Sequence, residues 1–274
     1  MAISTTDTLI TQSTRPVEKE ITTTTNAPTI IFDDAKQEDI PHAARIATIV
    51  FGETSRCLFP DGPDEDQVNY RTNKFDQLFA AHLGYKQGVR TRPARFLVAR
   101  NPKTEKVIAF CVALVEGGEE EESYEASDQI VPNAYTPFPK YPDPKRIANE
   151  VWKDFAEQAA LNMKKTVGKK KICHIRYLAV DPTVQRTGAG RSLLRLMRKV
   201  FAGLPLYLEA ETTPSAQQFY EKMAFETVGS LDFKGCLKPL PCMILDPNTI
   251  SLLDQQPKQH TDLPATPTPP TLSA

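Results

Sequence analysis

The sequence predicts an α/β (α+β) fold, one mixed β-sheet with helices on both faces. Apolar residues along the chain switch between two periods. Short β-branched runs alternate every second residue, and longer segments repeat at helical spacing. Strands come both as a hairpin and as strand–helix–strand units, a combination that mixes antiparallel and parallel neighbours in one sheet. The 274 residues, 40% hydrophobic and 24% charged, suffice for one large core or two small ones.

The elements follow in order. Thr29 to Phe32 reads as a short first strand. Asp39 is placed to cap a helix whose apolar positions Ile40, Ala43, Ala47, Val50 and Phe51 share a face. RCLFPDGPDED is a turn-rich break, and a second helix carries Phe75, Leu78, Phe79 and Leu83. RFLVAR (95–100) and VIAFCVALVE (107–116) read as strands joined by the turn NPKTEK. Residues 117–146 form a long loop, acidic first and proline-rich later; a loop of that length inside a domain is a lid or a disordered insert. Asn149 opens a helix with Val151, Trp152, Phe155 and Ala159 on one face, and the basic turn KKTVGKKK follows. KICHIRYLAV (171–180) is a strand. RSLLRLMRKVF is a helix with Leu193, Leu194, Met197, Val200 and Phe201 on its apolar face. PLYLEAE is a strand, PSAQQFYEKMAF a short helix, and ETVGSLDF and LPCMILD the last strands. Residues 1–28 and 248–274 are threonine- or proline-rich and read as disordered tails around a domain at 29–247.

Composition narrows the function. A net charge of −1 gives no global field for nucleic acid or an anionic membrane. No secretory leader and no membrane-length apolar run is visible, and five cysteines without a CxxC pair fit a reducing, cytoplasmic setting with no structural metal.

The chemistry concentrates in VDPTVQRTGAGRS, Val180 to Ser192. Glycines before a helix let an anion approach its unpaired N–H groups, and Arg186 and Arg191 add guanidinium donors suited to phosphate. The P-loop pattern fails because no lysine follows. The dinucleotide fingerprint fits Gly188 and Gly190, with Glu209 or Glu211 as its acidic residue, but its third glycine is Leu193 and the turn does not leave directly from the strand.

The third reading is an acyl-CoA cradle. Gln185-Arg186-Thr187-Gly188-Ala189-Gly190 meets the Q/R-x-x-G-x-G/A signature of the GNAT superfamily of N-acetyltransferases, after a strand ending Tyr177-Leu178-Ala179-Val180-Asp181-Pro182. Tyr207-Leu208-Glu209-Ala210 and Phe219-Tyr220-Glu221-Lys222-Met223-Ala224-Phe225 resemble the family's later motifs, so the resemblance covers about residues 172–233. Ala224 stands where glycine is usual, and Thr213 stands where many members have a cofactor-touching asparagine.

The resemblance implies a GNAT-like, mostly antiparallel sheet splayed at its centre, with acetyl-CoA as co-substrate. It implies that the pyrophosphate rests on the amides around Arg186 to Arg191, near the Ser192 hydroxyl, and that the pantetheine pairs with the backbone of Leu178, Ala179 and Val180. It makes Tyr220 the general acid for the leaving thiolate, against the alternative of a core aromatic. His174 is the first candidate base, against a packed strand histidine, and is expected to share a face with Arg176 and Leu178. Glu116 is a second candidate, with an exposed strand-end carboxylate as the plainer reading, and Glu209 is read as structural or orienting. Glu119 to Glu122 and Lys169 to Lys171 read as solvated charge, with an amine-attracting or 3′-phosphate role as the alternative; Val115, Phe138 and Tyr141 are candidate acceptor contacts.

The expected activity is acetyl transfer to a small-molecule amine by direct attack in a ternary complex. The alternatives are a protein or peptide N-acetyltransferase, for which the 117–146 loop looks too lid-like, and a non-catalytic acyl-CoA-binding module.

Overall fold

The computed structural model describes residues 20–22, 30–51, 57, 65–88, 92–118 and 149–249. Most of both expected tails and residues 119–146 of the expected insert lie outside them.

Eight strands form one sheet: β1 (Glu20–Thr22), β2 (Ile30–Asp34), β3 (Ala94–Arg100), β4 (Val107–Glu116), β5 (Ile172–Val180), β6 (Leu206–Glu209), β7 (Glu226–Leu231) and β8 (Leu240–Leu245). Their spatial order is β1-β2-β3-β4-β5-β6-β8-β7. Every neighbouring pair is antiparallel except β5 and β6. Among the described residues five α-helices accompany the sheet: α1 (Ile40–Val50), α2 (Glu65–Lys86), α3 (Asn149–Val167), α4 (Ala189–Val200) and α5 (Pro214–Lys222). From β2 onward this is the element order that periodicity predicts. β1 is an addition: Glu20–Thr22 pair with Ile30, Ile31 and Phe32 inside the segment read as a tail.

Alternation along the strands builds two cores. Leu97, Ala99, Cys111, Ala113 and Ile175 point to the face covered by α4, whose Leu193, Leu194 and Met197 are fully buried. Burying each such side chain is worth roughly 1.5–3 kcal/mol. Phe96, Val98, Phe110 and Val112 point the other way, against α1 and α2. On that second face α3 covers the β6–β8–β7 end through Ala159 and Val167. The sheet is therefore clad on both sides, as predicted.

Two local expectations change. Asp39 holds the N-cap position of α1 but makes no side-chain cap; its carboxylate accepts from the Lys36 amide and the Arg100 guanidinium. Buried Arg100 needs that counter-charge, so the carboxylate turns to it rather than to the helix end. The second change is on β5. Val112 pairs with Tyr177 but Ala113 pairs with Ile175, so Arg176 is a bulge. The bulge reverses the alternation: Leu178 packs into the α4 core while Tyr177 faces α1 and α2. His174 and Leu178 therefore do not share a face.

Ala224, at the expected glycine position, has φ 65°. The Phe225 amide donates to the Tyr220 carbonyl and the Ala224 amide to the Glu221 carbonyl, the paired bonds of a Schellman turn. A Cβ in this left-handed region costs about 1 kcal/mol or more. Ala224→Gly is accordingly expected to raise unfolding free energy by about 1 kcal/mol. Urea unfolding of the two proteins checks this, and an unchanged or lower midpoint would refute it.

Candidate active site

The site starts from the one parallel pair. β5 and β6 are hydrogen-bonded only at Cys173–Leu206 and His174–Tyr207. Beyond these, Ile175–Val180 pair with β4 alone among the described strands, and β6 turns to β8. The sheet is splayed there. Leu178, Ala179 and Val180 present an edge to the gap.

The signature turn closes one end of this gap. Asp181 accepts from the Thr183 amide in a short turn, and Thr187 Oγ1 donates to the Val184 carbonyl. Gln185, Arg186, Thr187 and Gly188 are exposed, and Ala189 and Gly190 are buried. Arg186 (φ 67°) and Gly188 (φ 86°) are both left-handed, which tips the chain into α4. A Cβ on Gly188 would meet nothing within 4 Å, whereas one on Gly190 would stand 3.3 Å from Val180 Cγ2 and 3.5 Å from Phe219 Cζ. Gly190 thus seats α4 on the strand, and Gly188 leaves the space above the helix end open. No side chain caps that end, so the first-turn amides, with Arg191 and Ser192 beside them, suit a pyrophosphate. Thr213 is occupied differently: it caps α5, accepting from the Ala216 amide. Lys169 to Lys171 lie before β5, about 30 Å of extended strand from the signature, and so are not beside this cradle.

On the α2–α3 side of the gap lies a cavity of about 460 Å³. Its floor carries a buried chain of three side chains. His174 Nδ1 is 2.6 Å from Glu116 Oε2, and Nε2 is 2.8 Å from Glu209 Oε2. Arg176 and Arg92 approach Glu116 Oε1 at 3.4 and 3.5 Å. His174 is 1% exposed and Glu116 4%. The reading of Glu116 as an exposed strand end is thereby corrected: β5 and Arg92 cover it.

Protonation follows from this packing. Burial alone opposes charge on His174, but Glu209 and the two hydrogen bonds outweigh it and raise the ring above its usual value. Burial would likewise raise Glu116, yet the His174 bond and the Arg176 and Arg92 charges bring it down to about 2. Glu209 is lowered by His174 against its own burial. The resting triad is therefore an imidazolium between two carboxylates. Among the described residues, the buried Glu209 Oε1 has no hydrogen-bond partner.

Tyr220 is outside the cavity wall. It packs on the α4 face, with ring centroids 5.1 Å from Phe219 and 5.5 Å from Phe225. Burial first, then Cys111 and Glu211, raise its phenol above the usual value. Val115 is buried in the same core and does not reach the cavity; Phe138, Tyr141 and Glu119 to Glu122 lie outside the described residues. Sequence reasoning missed the cavity walls Arg71, Lys74 and Arg92. It also did not place Glu209 against His174, although alternation in LYLE puts Tyr207 and Glu209 on one face.

The splayed sheet and the uncapped, glycine-led helix put a free strand edge and an anion-binding helix end at one gap. Residues 151–227 match the model of the acetyltransferase (GNAT) domain, and this stretch of the chain carries a domain of that type. Similar solved structures include the C-terminal condensation domain of Ebony in complex with beta-alanyl-dopamine (10% identity, TM-score 0.53, 79% of this chain and 98% of that one). A mosquito arylalkylamine N-acetyltransferase like 5b (16%, 0.50, 79% and 99%) and a Drosophila melanogaster polyamine N-acetyltransferase that forms N-acetylagmatine (12%, 0.50, 79% and 99%) are similar in fold too. No curated protein matches the chain in sequence. Among the described residues no helix is long and apolar enough to cross a membrane, and no group of three or more His, Cys, Asp or Glu is arranged to hold a metal ion.

Proposed function

We propose that the protein moves the acetyl group of acetyl-CoA to the amine of a small molecule by direct attack across the splay. The observation that carries this is the cavity: about 460 Å³, beside the β5–β6 gap, with the Glu116–His174–Glu209 chain in its wall. That volume suits a small molecule. The fold is shared with acetyltransferases of arylalkylamines and polyamines.

Acetyl-CoA supplies the activated thioester. The amides around Arg186 to Arg191 and the Ser192 hydroxyl hold its pyrophosphate, and the β5 edge at Leu178 to Val180 aligns its arm. An alkyl ammonium must lose a proton, which at pH 7 costs about 4 kcal/mol. His174 has committed both nitrogens to carboxylates, so it is a positioning residue in this scheme rather than the base. Glu209, kept ionised by His174, orients the ammonium rather than taking its proton, which leaves to solvent. Glu116 anchors the far side of the ring. Tyr220 donates to the departing sulfur.

Calorimetric titration with acetyl-CoA, then thiol release against an amine panel, tests this. Binding and release with small amines are expected, with Gly188→Ala weakening acetyl-CoA binding about tenfold, because the new Cβ occupies the open cradle at an unfavourable φ. No binding would overturn the cradle. Release only with peptides would move the acceptor to a macromolecule.

A further inference from the structure

Behind the cavity wall two buried polar atoms stand on neighbouring side chains of β6. Among the described residues, the Tyr207 hydroxyl and Glu209 Oε1 have no hydrogen-bond partner. One is a donor and the other an acceptor, and leaving both unpaired in the interior is costly. Tyr207 and Glu209 alternate along β6, so they share a face of the sheet. His174 touches both residues. Its Nε2 is 2.8 Å from Glu209 Oε2, and its ring centre is 5.2 Å from that of Tyr207. Glu116, by contrast, is anchored by Arg176 and Arg92 as well as by His174.

The surroundings of the hydroxyl favour one pairing. Cys242 of β8 stands opposite Glu209 and is the rival acceptor. Its sulfur is a weak acceptor and already receives the Asn162 side-chain amide of α3 at 2.8 Å. Glu209 is ionised and its Oε1 is unfilled, so the hydroxyl gains more there. Burial first, then the Glu209 charge, raise the phenol above its usual value and make it a standing donor. Other charges act on Glu209 as well. His174 and Arg176 of β5 favour its ionised form, and Glu116 of β4 opposes it. From α3, Phe155, Ala159 and Met163 join the cluster around Tyr207 without charge. Across the cavity stand Arg71 and Lys74 of α2, Arg92 before β3 and Glu211 after β6.

We propose that Tyr207 is a positioning residue for acetyl transfer: its hydroxyl donates to Glu209 Oε1, so that Tyr207 and His174 together keep anionic and in place the carboxylate that orients the acceptor ammonium. This rests on the transfer reading above. Each carboxylate oxygen has a second lone pair, so an oxygen anchored by one donor still accepts from the substrate. Without the hydroxyl, Glu209 takes up a proton at higher pH.

Tyr207→Phe tests it, because it keeps the ring against His174 and removes only a buried hydroxyl; its Tm should match the wild type. Carbon-13 NMR of glutamate-labelled protein, with the Glu209 carboxyl signal identified through Glu209→Gln, reads the bond without turnover. The Glu209 midpoint is expected about one pH unit higher in the variant. The ratio of wild-type to variant kcat/KM, from thiol release with the best small amine of the panel above, should be about fivefold at pH 5 and within about twofold at pH 8. A midpoint unmoved by Tyr207→Phe, or a ratio that stays constant across that range, would overturn the positioning role and leave the transfer reading intact. Thiol release from no amine in the wild type would overturn the transfer reading, and the positioning role with it.

Discussion

His174→Ala should lose about 3–5 kcal/mol of unfolding free energy at pH 7 and most of its acetyl-transfer rate. The reason is electrostatic. The ring stands between Glu116 and Glu209, and its removal leaves two carboxylates facing one another in a site that is almost closed to water. Breaking a buried ion pair from one side costs several kcal/mol, and the cost falls mainly on Glu209, since Glu116 keeps Arg176 and Arg92. The variant also loses the edge contact with Tyr207, whose ring centre is 5.2 Å away. Urea unfolding measures the first effect. A loss below about 1 kcal/mol would mean that the triad is not charged as described.

The same cluster sets a pH dependence with a definite sign. Glu116 has a folded value lowered from 4.5 to about 2, so its contribution is complete above about 4.5 and is lost as pH falls toward 2. His174 has a raised folded value, so its contribution is complete below 6.5 and is lost as pH rises through that higher value. The triad therefore stabilises most between about 4.5 and 6.5. His82 runs the other way on acidification. Burial lowers it from 6.5 to about 4, so the folded state loses stability as pH falls through that interval. The wild-type stability curve minus the His174→Ala curve removes the His82 contribution. That difference should shrink above pH 6.5; a constant difference from pH 5 to 9 would refute the imidazolium assignment.

Much of this molecule is legible in its sequence, and the exceptions have physical causes. The order of elements from β2 to β8 follows from local periodicity, most plainly in α4, whose Leu193, Leu194 and Met197 fall on one buried face. The α4 cradle is legible because it is local: its glycines, turn and helix are contiguous. The Arg176 bulge is not, since one extra residue in a strand changes no composition yet turns Leu178 to the opposite face. The burial of Glu116 depends on β5 and on Arg92, which lies more than twenty residues earlier. The cations of α2 have ordinary surface identities until the helix is laid across the sheet, and only then does Arg71 become a cavity wall.

Tyr220→Phe is expected to slow thiol release about a hundredfold while acetyl-CoA binding stays within about twofold of wild type, the size of effect that a positioned proton donor supplies. The ring itself is needed for packing against Phe219 and Phe225, and phenylalanine preserves both contacts. Only the hydroxyl is lost, so unfolding free energy should change little. The raised phenol value has two consequences. It keeps the proton on Tyr220 throughout the working pH range, so no basic limb from this group should appear below pH 10. It also makes complete transfer to a thiolate uphill, so Tyr220 works chiefly by hydrogen-bonding the sulfur as charge develops there. The burst of thiol in a single turnover separates that step from product release. If Tyr220→Phe left the single-turnover rate unchanged, the hydroxyl would be a packing feature of α5 and the proton would have to reach the sulfur from solvent. If instead acetyl-CoA binding fell with the rate, Tyr220 would be holding the cofactor arm and not the leaving group.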